Sequence, residues 1–287
     1  MIAVCKHELS SHFHSLTAYI FSAFLLAFVG IGAMLYNIQS AVANFEYVLS
    51  FVCLGFVVII PILTMKAVAE ERRQKTDQLL YSLPITTSQI MIGKYVALLV
   101  VYLVPLVVIS FYPLIFARFG EVYLLTSYGS MFAFFMMGAA FIAIGMFISS
   151  LTDNLGFAAG IAIPVILLNY YSVTLAEYVS STAIGSAAAL IVAAVLLGVV
   201  IRYLTRNDKL AVGIGAVLSI AVAGLYVMDS AAFEGLLPDI MKQLSLFERF
   251  YKFVNGVFDL TGIVYYVTVT VFFLFLSVQS LEKRRYN

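Results

Sequence analysis

Long apolar runs separated by short polar connections repeat along the chain. Each approaches the roughly 20 residues that an α-helix needs to cross the hydrocarbon of a membrane. Eight runs have this length: Leu16–Tyr36, Tyr47–Met65, Tyr95–Phe116, Thr126–Ser149, Leu155–Leu175, Ala183–Ile201, Leu210–Met228 and Gly262–Leu281. The pattern predicts an all-α polytopic membrane protein with a core of six spans and an extra hairpin. The sixth and seventh runs are rich in Gly and Ala, so two full crossings and a tight peripheral hairpin both remain open.

Two polar connections have apolar residues at helical spacing. Residues 1–15 carry apolar side chains every three or four positions, at Ile2, Cys5, Leu9 and Phe13, and Leu16 continues the pattern. This spacing predicts an amphipathic helix lying at the inner membrane surface. The connection 229–261 mixes apolar and polar residues and is expected to form one or two short helices on the outer side.

Composition limits the class of protein. Apolar residues make up 63% of the 287 positions and charged residues 11%, which no soluble core could absorb. The apolar runs leave no stretch long enough for a separate soluble domain, so residues 1–287 are expected to form one membrane domain. Cys5 and Cys53 lack the spacing of a metal site or a disulfide framework, and we expect no metal.

The positive charges predict the orientation. With eight spans, twelve of the 16 Lys and Arg residues fall on the side that carries both termini. The other four lie on the opposite side: Arg118, Lys242, Arg249 and Lys252. Because Lys and Arg accumulate in cytoplasmic connections, both termini are expected to be cytoplasmic, in a multi-pass protein of the plasma membrane.

The chain lacks several kinds of chemistry. It contains no GxxxxGK[ST] segment and no arrangement typical of a catalytic site, so we do not expect it to be an enzyme or to bind ATP itself. The predicted spans contain almost no ionisable residue, and Asn169 is the most polar group within them. A carrier driven by an ion gradient is expected to keep a carboxylate near mid-membrane, so this absence argues against one.

The connection 66–94 is the main polar segment, and from Ala69 to Tyr95 the chain reads AEERRQKTDQLLYSLPITTSQIMIGKY. Glu70 to Lys75 are expected to continue the second span beyond the membrane. Thr76 suits an N-cap with Asp77 in the first turn, and Pro84 ends the short helix that follows. Its leucines predict a docking helix for a cytosolic partner, and the alternative is a solvated loop. Thr86 with Gln89 has the spacing of a capping box for the third span.

This segment resembles the permeases of ABC-2-type exporters, in particular those of gliding motility and nitrous-oxide-reductase maturation. The matching pattern is acidic-acidic-basic-basic, then Thr, Leu-Leu, Leu-Pro and Gly-Lys-aromatic. It is carried by Glu70, Glu71, Arg72, Arg73, Thr76, Leu79, Leu80, Leu83, Pro84, Gly93, Lys94 and Tyr95. Two positions depart from it, Lys75 where Gly is usual and Gln78 where an acid is usual.

The resemblance implies the permease subunit of an ATP-driven exporter. Such a permease pairs with a second copy or a sibling permease, and cytosolic ATPase subunits bind ATP and Mg. The residues implied in ATPase coupling are Glu70, Glu71, Arg72, Arg73, Thr76, Asp77, Leu79, Leu80, Leu83 and Pro84. No cofactor is implied for this chain, and its other partner is the lipid bilayer rather than a nucleic acid.

Other functions remain open at this stage. A channel or secondary carrier without an ATPase is the main alternative, and a neighbouring gene encoding a GxxxxGK[ST] protein would argue against it. A scaffold that docks a partner without transport is a third possibility. The sequence does not indicate the substrate.

Overall fold

The computed structural model describes residues 2–76, 85–205 and 208–285, among which helices dominate and no strand occurs. In chain order the helices are α1 Ile2–His14, α2 Leu16–Ala33, α3 Glu46–Thr64, α4 Ala69–Gln74, α5 Thr87–Ile109, α6 Phe111–Phe116, α7 Leu124–Leu151, α8 Leu155–Tyr178, α9 Ala183–Thr205, α10 Asp208–Met228, α11 Leu236–Leu244, α12 Leu246–Val254 and α13 Leu260–Arg285. A π-helical turn, Met34–Gln39, extends α2.

Six helical segments within the described residues are long and apolar enough to cross a membrane, which fits the predicted polytopic all-α fold. They are Leu16–Gln39, Glu46–Gln74, Thr87–Phe116, Leu124–Leu151, Leu155–Tyr178 and Leu260–Lys283. The region predicted as spans six and seven differs. The apolar part of α9 is shorter, and Val212–Met228 meets Ala231–Leu244 at a bend of 120°, so this pair adds at most a seventh span.

The described chain divides into two compact units, Met1–Tyr170 with Arg249–Asn287, and Tyr171–Glu248. In the first unit, α7 packs on both α3 and α13, and α2 packs on α3. Aromatic rings fill its interior, with the Phe56 and Phe134 ring centroids 4.5 Å apart. A Cβ on Gly145 would collide with the side chain of Thr64, so glycine there allows α3 and α7 to approach closely.

In the second unit, α9 and α10 pack side by side as a helical hairpin. The backbone contact is close at Gly215, because a Cβ there would lie 3.6 Å from the Ala194 carbonyl oxygen. The amide of Gly235, a residue with φ of +72°, donates to the Ser181 carbonyl at 2.9 Å and fixes the entry to α11. Glycine at position 215 therefore allows α9 and α10 to approach closely.

The second span extends to Gln74, next to the expected end at Lys75, but a turn interrupts its helix. α3 ends at Thr64, residues 65–68 form turns, and α4 begins at Ala69. α4 ends when Lys75 adopts the left-handed conformation at φ of +58°, while the amide of Thr76 donates to the Glu71 carbonyl at 3.0 Å. This closing turn favours glycine, the residue usual at this position in the pattern described above.

The predicted capping box at Thr86 is confirmed and fixes the start of α5. The Thr86 side chain accepts from the Gln89 amide at 3.3 Å, and the Gln89 side chain accepts from the Thr86 amide at 3.4 Å. α5 therefore begins at Thr87, eight residues before the predicted start of the third span at Tyr95. Lys94 consequently lies inside the helix rather than in the connection before it.

Candidate functional site

α4 begins against a serine of another helix. The Ser149 hydroxyl of α7 accepts from the amides of Val68 and Ala69 at 3.2 and 3.1 Å and donates to the Met65 carbonyl at 3.0 Å. Backbone groups at a helix start and in a turn lack partners within their own helix and are costly to bury unpaired. Ser149 therefore stabilises the break between α3 and α4 and fixes the position of α4 on α7.

Arg72 makes a second connection to the same end of α7. Its side chain is 6% exposed, and its Nη1 donates to the Ser150 carbonyl. The same carbonyl accepts from the Ser280 hydroxyl of α13 at 2.9 Å. One backbone oxygen thus joins α4, α7 and α13.

A buried ion cluster, which we call the triad, consists of Glu8, Glu71 and Lys94. The Lys94 Nζ donates to Glu8 Oε1 at 2.7 Å and to Glu71 Oε1 at 2.6 Å. The Lys94 side chain is 2% exposed, whereas those of Glu8 and Glu71 are 14% and 22% exposed. Since the three residues come from α1, α4 and α5, one ammonium group holds three helices together.

The helices extend past the predicted ends of the spans and include two buried charged residues. Lys94 lies within the span-length segment Thr87–Phe116, and a second charged residue, Glu46, is 1% exposed at the start of Glu46–Gln74. Both residues lie one position outside the spans predicted from the sequence, because a charged residue ends an apolar run. The helices nevertheless continue through them.

The side of α1 that packs on the bundle is polar. His12 is 8% exposed and Glu8 points to Lys94, whereas Ile2, on the side predicted to face the membrane surface, is 80% exposed. Burial lowers the pKa of His12, although the nearby carboxylate of Glu8 opposes this effect. Because its pKa is lowered, the His12 imidazole is neutral at pH 7, and Lys94 remains the cation of the triad.

The predicted coupling residues fall into two groups. Glu70, Glu71, Arg72 and Arg73 lie on α4, and Thr76 follows it. Within this group Glu71 and Arg72 turn toward the bundle, whereas Arg73 is exposed. The remaining five lie outside the described residues: Asp77, Leu79, Leu80, Leu83 and Pro84.

Sequence reasoning missed Glu8, Ser149 and Ser150, and it assigned Lys94 to the matching pattern without a partner. Glu8 lies 86 residues before Lys94, and Ser149 lies 80 residues after Ala69. No periodicity links residues so far apart. The available signal was Glu8 itself, the one acidic residue among the first fifteen.

Comparison with protein families gives one match. A family model described as ABC-2 family transporter protein matches residues 31–176, slightly more than half of the chain. The matched region includes α4, Lys94, Ser149 and Ser150, whereas Glu8 lies before it. No curated protein matches the chain.

Proposed function

The chain belongs to the ABC-2 transporter family, and from this premise we propose that it is the permease subunit of an ATP-driven exporter. Two permease chains, either identical or siblings, form the path between them, and two separate ATPase subunits bind ATP and Mg. The protein lies in the plasma membrane, and both termini and residues 66–94 face the cytoplasm. The family match and the apolar helices show a multi-pass membrane transport protein of this family.

The arrangement around α4 carries the proposal. α4 is six residues long and is held by the Lys94 side chain of α5 and by Ser149 and Ser150 of α7, and Lys94 also links it to Glu8 of α1. A helix this short is not stable by itself, so its position depends on these contacts. Displacement of α4 would therefore be transmitted to the spans that hold it. This property suits the segment against which an ATPase presses.

The charge distribution supports the orientation. Lys94 and Arg72 lie at the same end of the first unit as Ser280, close to the last turns of α13. Glu46 and Ser127 lie at the other end, where the Ser127 hydroxyl donates to Glu46 Oε2 at 3.2 Å. Positive charge at the first end fits a cytoplasmic location.

Orientation can be tested with an impermeant thiol reagent on intact cells, after replacement of Cys5 and Cys53. Lys75→Cys and Phe119→Cys are matched probes, because both residues are exposed and they lie toward opposite ends of the first unit. We expect labelling at position 119 and none at position 75 until the cells are opened. Labelling at position 75 in intact cells would contradict the proposed docking side.

The ATPase contact can be tested with Leu80→Asp, in the segment outside the described residues. An aspartate in an apolar contact leaves an unpaired buried charge, and we expect loss of stimulated ATP hydrolysis in proteoliposomes that contain the co-expressed ATPase. Phe119→Asp, at the exposed opposite end, controls for the added charge. Stimulation that survives Leu80→Asp would argue against this contact.

Glu46 favours a second candidate function, a secondary carrier. Its carboxylate is buried at the start of a span-length segment and accepts hydrogen bonds from two neutral donors, Ser127 and Asn44. Buried carboxylates in spans are typical of ion-coupled carriers. Transport that needs ATP and persists when ionophores collapse proton and sodium gradients supports the exporter, whereas the opposite result supports the carrier.

A further inference from the structure

Lys94 is buried although a lysine at this position could extend its side chain to the membrane surface. A lysine near the end of a membrane helix usually extends its flexible chain so that the ammonium reaches water or lipid headgroups. The Lys94 ammonium instead lies between two carboxylates, with only 2% of the side chain exposed. The next residue fixes this part of α5, because the Tyr95 hydroxyl donates to the Ala139 carbonyl of α7 at 3.1 Å.

Stability alone is a weak explanation for this cluster. Desolvation of buried charges offsets much of their attraction, and apolar replacements of a buried ion cluster are often equally stable. The triad by itself carries one positive charge and two negative charges. What it provides is geometry, because two carboxylates from α1 and α4 converge on one point of α5.

We infer that Lys94 is a positioning residue, which fixes α1 and α4 to the same point of the third span so that they move together. The inference rests on the proposed function and adds the residue that links the N-terminal helix to α4. A displacement of α4 is then shared with α1 through Glu71, Lys94 and Glu8. Coupling depends on the charges of the triad rather than on the space that its side chains fill.

Variants of the triad can change its charges while they keep the volumes of its side chains. Lys94→Met leaves two carboxylates without their cation, whereas the triple variant Lys94→Met, Glu8→Gln, Glu71→Gln removes every charge and keeps similar volumes. Lys94→Arg keeps the cation and can donate to both carboxylates. Lys252→Met is the matched control, because Lys252 pairs with Asp259 at 3.2 Å and is 47% exposed.

The first measurement needs no ATPase. Spin labels at Lys6→Cys and Arg73→Cys, both exposed, report the distance between α1 and α4 in a background without Cys5 and Cys53. We expect a narrow distance distribution in the parent protein and in Lys94→Arg, and a clearly broader one in the triple variant. An unchanged distribution in the triple variant would overturn the inference.

The second measurement is ATP hydrolysis by the co-purified complex in proteoliposomes. We expect the triple variant to retain the thermal stability of the parent while stimulated hydrolysis falls at least about fivefold, the low end of typical coupling effects. Lys94→Arg should restore stimulation, and Lys252→Met should leave it unchanged. Normal stimulation in the triple variant would show that the charges serve folding alone and would overturn the inference.

The two proposals fail in different ways. If the parent protein neither binds nor stimulates an ATPase, the proposed function fails, and the distance measurement still decides whether Lys94 positions α1 and α4. If the parent couples normally and the triple variant does too, the proposed function stands and the role of Lys94 fails.

Discussion

The first unit has a lysine–carboxylate contact toward each end, and the two differ in burial. At one end Lys94 is 2% exposed and contacts Glu8 and Glu71, from other helices. At the other end Lys252 is 47% exposed and contacts Asp259, seven residues further along the chain. The same side-chain chemistry therefore joins distant helices at the triad and only tightens a local connection at Lys252.

Burial decides how much each contact matters. An exposed ion pair is screened by water and salt and contributes about 0–1 kcal/mol. Removal of one partner from a buried cluster costs about 3–5 kcal/mol, because the remaining charge cannot recover its water. The two ends should therefore respond very differently to equivalent substitutions.

The largest expected difference is between Lys94→Met and Lys252→Met. We expect Lys94→Met to lower the free energy of unfolding by up to about 3 kcal/mol, because Glu8 and Glu71, which are 14% and 22% exposed, lose their cation and regain water only in part. We expect Lys252→Met to lower it by at most about 1 kcal/mol. Unfolding by SDS in mixed micelles measures both, and equal effects would break the comparison.

The next effect concerns Ser149, near the triad. Ser149→Ala removes the acceptor of the Val68 and Ala69 amides, and we expect a loss of about 1–3 kcal/mol in unfolding free energy. Ser277→Ala is the control, because the Ser277 hydroxyl donates to the Phe273 carbonyl of its own helix. That change should be neutral or slightly stabilising. A neutral Ser149→Ala would show that the break between α3 and α4 is held by other contacts.

A smaller effect, of opposite sign, is expected at Lys75. Its φ of +58° strains a residue with a side chain, so Lys75→Gly should raise the free energy of unfolding by up to about 1 kcal/mol. Gln74→Gly, one position earlier and inside α4, should lower it by about 0.5–1 kcal/mol. Thermal unfolding in detergent distinguishes the two, and changes of the same sign would contradict the left-handed turn.

The smallest effect is a pH dependence at Asp259. A hydrogen bond from the Thr261 hydroxyl, helped by Lys252, lowers the pKa of Asp259 to about 2. Because the folded pKa lies below the unfolded value of about 3.9, its stabilisation is present above pH 4 and is lost as the pH falls toward 2. Asp259→Asn should flatten the unfolding curve within that window. An unchanged pH dependence would rule out this contribution.

The sequence was informative wherever a property is local. Runs of apolar residues located the segments that became α2, α3, α7, α8 and α13, and the Thr86–Gln89 spacing located the start of α5. The polar segment 66–94 was recognised from its composition and pattern. Hydropathy was less reliable for the predicted spans six and seven, because small residues score as apolar whether a helix crosses the membrane in full or, like Val212–Met228 with Ala231–Leu244, bends sharply.

Charged residues at predicted span ends were misjudged for a physical reason. A hydropathy pattern ends an apolar run at the first charged residue. Glu46 and Lys94 were therefore placed just outside their spans. A charge can be buried if a partner from another helix compensates it, as Glu8 and Glu71 do for Lys94. The partner is invisible to any local pattern.

The sequence by itself determined the helical segments, the membrane class and the position of the polar segment, because each depends on neighbours in the chain. The tertiary structure alone decided that α4 separates from α3, that Ser149 caps the break, and that one ammonium joins α1, α4 and α5. These features depend on which helices pack together. Burial by that packing converts ordinary charged residues into a cluster with a fixed geometry.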